Sequence, residues 1–82
     1  MKVTIRDDAL DDLEHLPGSM QERVLEVVER LEHWPQVSGV KALTGDWRGY
    51  SRIRTGDYRV VFNVFADRIV VVRVAHRKEV YE

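Results

Sequence analysis

The sequence predicts an α+β domain in which a helical hairpin packs on one face of a small twisted antiparallel sheet, in the order β-α-α-β-β-β. Apolar residues recur at helical spacing through residues 9–31, whereas residues 49–75 contain three short runs that alternate apolar and polar side chains. Helices followed by a group of strands are typical of this class. With 82 residues, the chain should form a single domain over residues 1–82.

The chain should begin with a short strand and a first helix. Apolar and polar residues alternate over residues 2–6, and we expect this strand to join an edge of the sheet. Asp7 or Asp8 can cap the helix that follows, and the Pro-Gly step at 17–18 should end it. Its apolar positions at helical spacing are Ala9, Leu10, Leu13 and Leu16.

A second helix is expected to begin at Ser19. Glu22 follows Ser19 by three residues, which is the spacing of a capping box, and the Trp34-Pro35 step should close the helix. An inward stripe would be formed by Met20, Val24, Val27, Val28 and Leu31. The two helices together would form a hairpin with one apolar side and one acidic side.

Residues 36–47 show no clear pattern and are expected to form a loop. Three strands should follow, at about 49–54, 58–65 and 68–75. Only a few residues separate consecutive strands, which favours antiparallel hairpins.

Three arginines in the first of these hairpins suggest an anion-binding surface. Strand alternation places Tyr58, Val60 and Phe62 on one face, which should meet the helices. The other, uncovered face would then present the arginines Arg52, Arg54 and Arg59. They could bind something negative, or they could be solvated charges that pair with carboxylates such as Asp57 and Glu79.

The tail AHRKEVYE leaves the last strand and could fold back across this open face. It would bring His76, Arg77, Lys78 and Tyr81 to the arginines. Guanidinium groups match phosphate oxygens bidentately, and an aromatic ring can stack on an unpaired base. The set therefore suits nucleic acid.

Composition narrows the possible functions. Residues 1–40 have a net charge of −5 and residues 41–82 one of +4, so the overall −1 conceals a dipolar distribution. There is no cysteine and no run of apolar residues long enough to span a membrane, which favours a cytoplasmic protein. The three histidines lack metal-ligand spacing, and no glycine-rich nucleotide-binding turn is present, so neither a metal nor another cofactor is expected.

Two stretches, LTGDWRGYSRIRTGDYRVVFNV and VVVRVAHRKEVY, resemble the RelE/ParE superfamily of toxins from bacterial type II toxin-antitoxin pairs. The resemblance covers nearly the whole chain and is closest to the RelE-like branch. It implies the RelE-like microbial RNase fold and a ribosome-dependent endoribonuclease, or mRNA interferase, that cuts mRNA in the ribosomal A site. The reaction would be attack of the ribose 2′-hydroxyl on the adjacent phosphate, without metal. Implied partners are mRNA, ribosomal RNA and a cognate antitoxin that holds the toxin in a hetero-oligomer, the free toxin being monomeric.

The resemblance also implies roles for particular residues. The catalytic set would be Arg52, Arg54, Arg59, Arg77 and Tyr81, and RNA would be bound by Arg48, His76 and Lys78. Arg59 and Arg77 would stabilise the charge of the phosphorane, and Tyr81 would stack on a splayed base or assist proton transfer. Some members carry lysines where this chain has Arg52 and Arg54, and arginine stays protonated. The general base is therefore open: His76 is one candidate, and a packed residue at the strand end is the other interpretation of it.

Two other functions fit the same resemblance. A ParE-like inhibitor of DNA gyrase would use the fold without nuclease chemistry, although it would have no need of the Arg77 and Tyr81 set. A member that has lost its activity would retain only antitoxin binding.

Overall fold

The computed structural model describes residues 1–80. Its two helices are α1 (Asp7–Glu14) and α2 (Gly18–Leu31). The strands are β1 (Lys2–Ile5), β2 (Lys41–Ala42), β3 (Ser51–Thr55), β4 (Tyr58–Val64) and β5 (Arg68–His76).

One five-stranded sheet carries the fold, with strand order β1-β5-β4-β3-β2. The predicted α+β class and element order are confirmed, and β1 lies at an edge as expected. It pairs with β5 in parallel, whereas the other pairs are antiparallel, so the sheet is mixed. The short strand β2 lies in the segment expected to be loop, because its two residues are too few to show a strand period.

The helices cover the predicted face of the sheet. Val60 and Phe62 are fully buried there, and the Trp34 ring meets Phe62 edge-on at 6.0 Å between centroids. Burying a side chain of this size contributes about 1.5 to 3 kcal/mol, so this core dominates the stability of a small chain. The buried members contributed by the helices are Ala9, Val24, Val27 and Leu31.

Neither predicted helix cap forms. Arg6 occupies the N-cap position of α1 and Pro17 that of α2, and neither makes a side-chain capping bond. The carbonyl of Pro17 accepts hydrogen bonds from two amides of the first turn of α2, which starts the helix one residue before Ser19. Ser19 therefore lies inside the helix, and the capping-box prediction was wrong.

The opposite face of the sheet is not open. A second apolar cluster covers it, formed by Leu43, Val61, Val72, Ala75 and Val80. Val80 is 3% exposed, which confirms that the tail folds back across this face. The expectation of an uncovered arginine face was wrong, because the loop and the tail supply the apolar residues that close it. Among residues 1–80, no helix combines the length and apolar character that a membrane span requires.

Candidate nucleic-acid interface

Strand register brings basic residues together on the second face of the sheet. In the β3–β4 hairpin, Arg54 lies opposite Arg59 and Arg52 lies opposite Val61. In the β2–β3 ladder, Lys41 lies opposite Arg52. Because residues opposite each other share a face, Lys41, Arg52, Arg54 and Arg59 project to the same side. We call these four residues the arginine face.

Two of its three arginines are buried. Arg52 is 7% exposed and its Nη1 donates to the carbonyl of Gly39 at 3.1 Å, whereas Arg59 is 9% exposed and its Nη1 approaches the Tyr58 carbonyl at 3.4 Å. Arg54 is exposed, as expected for all three. Burial has already restricted these two side chains, so an anion bound here would cost little further rotamer entropy.

Arg77 lies at the end of the sheet where the tail leaves β5. Its amide donates to the Asp57 carbonyl at 2.7 Å, which ties the tail to the β3–β4 turn. Its side-chain Nε lies 3.8 Å from Asp57 Oδ1, with 59% of the Arg77 side chain exposed. An ion pair this exposed contributes little stability. Arg77 follows His76, which lies opposite Tyr58, so its backbone lies at the same end of the sheet as the Arg54–Arg59 pair.

His76 occupies the other face. It is the cross-strand partner of Tyr58, and the two rings meet edge-on with centroids 5.5 Å apart. Its Nδ1 lies 3.2 Å from the amide nitrogen of Lys78. A backbone N–H can only donate, so Nδ1 accepts and a neutral His76 carries its proton on Nε2. We expected His76 to lie beside the arginines, and this was wrong. Strand alternation directs the His76 side chain towards the helices instead.

The other predicted RNA-binding residues lie at the margins. Arg48 is exposed and directly follows the 3₁₀ turn Gly45–Trp47. Lys78 is exposed in the turn after β5. Tyr81 lies outside the described residues.

A groove that the sequence did not indicate lies between α1 and the ends of β4 and β5. Its volume is about 400 Å³, and it is lined by Asp11, Asp12, His15, Leu16, Tyr58, Arg73, Val74, His76 and Glu79. The His15 Nδ1 lies 2.7 Å from the carbonyl oxygen of Asp11, and this hydrogen bond, with the nearby Asp11 carboxylate, raises the pKa of His15.

Asp12 lines this groove and is paired with β5. Its carboxylate accepts from Arg73 Nε at 2.8 Å and Arg73 Nη2 at 3.1 Å, and from the Val74 amide at 2.8 Å. The hydrogen bond from Arg73 to Asp12 also raises the pKa of the Arg73 guanidinium. β1 pairs with β5 only as far as Val71. Beyond that residue the Val74 amide of β5 has no partner on β1, and it donates to the Asp12 carboxylate instead.

Taken together, the arginine face with Arg77 at its rim suits a phosphodiester. Guanidinium groups bind phosphate oxygens through charge-assisted hydrogen bonds, and they remain protonated at all working pH values. Among residues 1–80 there is no cluster of histidines and carboxylates with metal-ligand geometry. The charge needed to balance a phosphorane is available from arginine.

Comparison with known proteins identifies relatives across the whole domain. A family model described as "ParE toxin of type II toxin-antitoxin system, parDE" matches residues 3–81. Toxin RelE3 of Methanocaldococcus jannaschii is 33% identical over 85 residues, which cover 100% of this chain and 97% of that protein.

Several solved structures with this fold are complexes of a toxin with its antitoxin. The RelBE2 complex from Mycobacterium tuberculosis contains a chain that matches with a TM-score of 0.79 and 28% identity, over 93% of this chain and 96% of that chain. The archaeal RelE-RelB complex from Pyrococcus horikoshii OT3 matches with a TM-score of 0.75 and 30% identity, over 93% of both chains.

Proposed function

Because this chain belongs to the ParE toxin family within the RelE/ParE superfamily of type II toxin-antitoxin systems, we propose that it is a ribosome-dependent mRNA endoribonuclease that blocks translation. The observation that carries the proposal is the set of arginines on one face of the sheet, with Arg52 and Arg59 buried and Arg77 at the rim. Its relative Toxin RelE3 carries a RelE name, which favours this branch of the superfamily.

The proposed reaction is cleavage by internal transfer. The ribose 2′-oxygen forms a bond to the adjacent phosphorus while the bond from phosphorus to the 5′-oxygen breaks. The 2′-hydroxyl loses its proton and the departing 5′-oxygen gains one, which leaves a 2′,3′-cyclic phosphate and a 5′-hydroxyl. The pentacovalent phosphorane carries more negative charge than the ground state, so groups fixed around it lower the barrier.

The arginines would supply that stabilisation. Arg59 is buried at 9% exposure, opposite Ala75 of the second apolar cluster, and Arg77 is tied by its backbone to the β3–β4 turn. The Arg59 guanidinium is restricted before RNA binds, which favours electrostatic catalysis. The exposed Arg77 guanidinium would be ordered when the phosphate binds. Arg52 and Arg54 would hold the flanking phosphates as bidentate clamps, and Tyr81 keeps its proposed stacking role.

The geometry argues against His76 as the base. Its imidazole lies on the helix side of the sheet, and its Nδ1 accepts from the Lys78 amide. The ring nitrogen that remains carries the proton and can donate but not accept. A 2′-hydroxyl bound on the arginine face would have to be deprotonated by another group.

The charge pattern suits a polyanionic target and a protein partner. RNA would meet the +4 half of the chain, while the −5 half lies largely on the helices. Binding should depend strongly on salt, because the arginine face rather than the net charge attracts phosphate. Several related structures are toxin-antitoxin complexes, which supports a cognate antitoxin for this chain, and we place the toxin in the cytoplasm.

Induction of the toxin without its antitoxin tests the proposal. Primer extension on translated messages should show new 5′ ends in phase with codons as growth stops. The same messages made untranslatable by removal of the start codon serve as controls and should stay intact. Growth arrest without cuts in translated messages would overturn the proposal.

A ParE-like inhibitor of DNA gyrase is the second candidate, since the matching family model is that of the ParE toxins. Such a protein would arrest growth without cutting mRNA. A supercoiling assay with purified gyrase separates the two functions: inhibition at stoichiometric toxin favours the gyrase inhibitor, and unchanged supercoiling favours the nuclease.

A further inference from the structure

Two hairpin turns of the sheet each carry an aspartate that is paired with an arginine. In the turn between β4 and β5, Asp67 Oδ1 lies 3.1 Å from Arg68 Nη1. At the other end of the sheet, Asp57 of the turn between β3 and β4 places its Oδ1 3.8 Å from Arg77 Nε. Of these two pairs, the second contains a proposed catalytic arginine.

Asp57 lies at the end of the sheet that carries the arginines. The Arg54–Arg59 pair is the second rung of the β3–β4 hairpin, counted from the turn. Asp57 precedes Arg59 by two residues, a separation of about 7 Å along a strand. The Asp57 carbonyl also accepts the Arg77 amide at 2.7 Å, so the hairpin and the tail meet at this residue.

The contact between the Asp57 and Arg77 side chains leaves both of them accessible to a substrate. At 3.8 Å it is longer than a charge-assisted hydrogen bond, which measures about 2.7 to 2.9 Å. The two side chains are 66% and 59% exposed. A phosphate bound by Arg77 would bring the ribose next to it towards the carboxylate. A general base must come within about 2.6 to 3.2 Å of the hydroxyl oxygen whose proton it takes.

Other polar groups near this end of the sheet fit the role of a base less well. Arginine stays protonated, and the His76 ring faces the helices with its Nδ1 hydrogen-bonded to the backbone. Glu79 lines the groove beside α1 together with Arg73. Lys41 lies on β2, three strands away from β5, which leads into the tail. Asp57 differs from all of them because its carboxylate already lies beside a proposed catalytic arginine.

We propose that Asp57 is the general base that deprotonates the 2′-hydroxyl, an inference that rests on the proposed RNA-cleaving function. The proton of the 2′-hydroxyl passes to an oxygen of the Asp57 carboxylate as the 2′-oxygen bonds to phosphorus. The bond from phosphorus to the 5′-oxygen breaks, and that oxygen takes a proton from water. The hydroxide so formed recovers the proton from Asp57, which restores the carboxylate. Arg77 binds the phosphate while Asp57 accepts the proton, so the pair acts on one nucleotide.

Cleavage of mRNA on purified ribosomes by the purified toxin tests the assignment. Measurements at rising toxin concentration separate the rate at saturation from the half-saturating concentration. Asp57→Asn should lower the rate at saturation by at least about 100-fold, as expected for loss of a general base. It should not raise the half-saturating concentration, because it removes a negative charge beside the phosphates. Asp57→Glu keeps a carboxylate and should cut faster than Asp57→Asn. Asp67→Asn is the matched control: it removes the 77% exposed carboxylate of the other turn and should behave as the wild type does.

The same variants separate this inference from the nuclease proposal. A wild-type toxin that makes no cuts on ribosomes overturns both. If the wild type cuts and Asp57→Asn is equally fast at saturation, or Asp57→Glu is as slow as Asp57→Asn, the role of Asp57 is overturned and the nuclease proposal stands. Thermal unfolding should give equal midpoints for the wild type and Asp57→Asn, because the ion pair is exposed and the backbone contact of Asp57 remains. A lowered midpoint would assign Asp57 a structural role and overturn the inference as well.

Discussion

Asp12 of α1 and Arg73 of β5 form a bidentate ion pair across 61 positions of sequence, with contacts of 2.8 and 3.1 Å. The same carboxylate accepts the Val74 amide. Asp12 therefore attaches α1 to β5 near the carboxyl end of that strand, a few residues before His76 and Arg77. The attachment couples the helical hairpin to the end of the sheet where we propose that RNA is cleaved.

Replacing Asp12 with alanine should destabilise the fold. The substitution removes the acceptor of three hydrogen bonds and leaves the Arg73 guanidinium and the Val74 amide without it. We expect a loss of about 1 to 3 kcal/mol in the free energy of unfolding, measured by urea denaturation. Asp11→Ala is the matched control because Asp11 is 73% exposed, and it should change stability by less than about 0.5 kcal/mol. Equal unfolding midpoints for the two variants would show that the ion pair is not a stabilising contact.

Arg77→Ala should abolish toxicity without unfolding the protein. The Arg77 side chain is 59% exposed and, within residues 1–80, makes only a long contact with Asp57, so its loss should leave the melting temperature nearly unchanged. Removing one fixed donor from a transition state typically lowers the rate about 10² to 10³-fold, a loss that a quantitative cleavage assay would measure. Arg68→Ala, at the start of β5, should keep full activity. Arg59→Ala is a poorer test, since Arg59 is 9% exposed and its removal should also cost stability.

Arg54→Ala should reduce the salt dependence of RNA binding. The affinity for a single-stranded RNA falls with salt by a logarithmic slope of about 0.7 for each phosphate contact. Loss of one contact should reduce the slope by about that amount, as measured by fluorescence anisotropy at several salt concentrations. Arg68→Ala should leave the slope unchanged. A slope that Arg54→Ala does not alter would remove Arg54 from the phosphate-binding set.

Gly56→Ala should be more damaging than Gly18→Ala. Gly56 closes the β3–β4 turn with φ of +58°, and a β-carbon there would lie 3.1 Å from Met20 Cε and 3.3 Å from Arg23 Nη1. Alanine in the left-handed region costs about 1 to 2 kcal/mol, which thermal unfolding would detect. At Gly18, in the first turn of α2, a β-carbon meets nothing within 4 Å, and alanine should be neutral or stabilising. Comparable melting temperatures for the two variants would contradict the turn assignment.

His15 should titrate above its ordinary pKa. The hydrogen bond to the Asp11 carbonyl is the main cause, and the Asp11 carboxylate adds to it. A raised folded-state pKa means that the stabilising contribution is complete below about 6.5, the value expected when unfolded. The contribution is lost as the pH rises through the folded-state pKa. Asp11→Asn should lower the pKa of His15 only in part, since the backbone acceptor remains; an NMR titration of the ring would show this. Complete return to the ordinary value would contradict a backbone origin.

The alternating residues of β4 predicted much of the site correctly. Val60 and Phe62 meet the helices, and Arg59 projects to the other side together with Arg52 and Arg54. The tail returns to that second face through Val80, also as expected. The catalytic roles assigned to these arginines and to Tyr81 remain predictions.

The burial of Arg52 and Arg59 could not be read from the same pattern. On the same face, Leu43 from the loop and Val80 from the tail, two residues outside the hairpin, complete the second apolar cluster. The Asp12–Arg73 pair and the groove depend likewise on how α1 lies across the end of β5. No local spacing encodes such contacts.

Sequence alone determined the class of the fold, the faces of the strands and the family, because each depends on local periodicity or on a short motif. Only the tertiary structure decided which charged side chains are buried and which remain exposed. The exposure of a charged side chain to water depends on segments that are distant from it in sequence. Arg52 and Arg59 are buried, while Arg54 and Arg77 stay exposed.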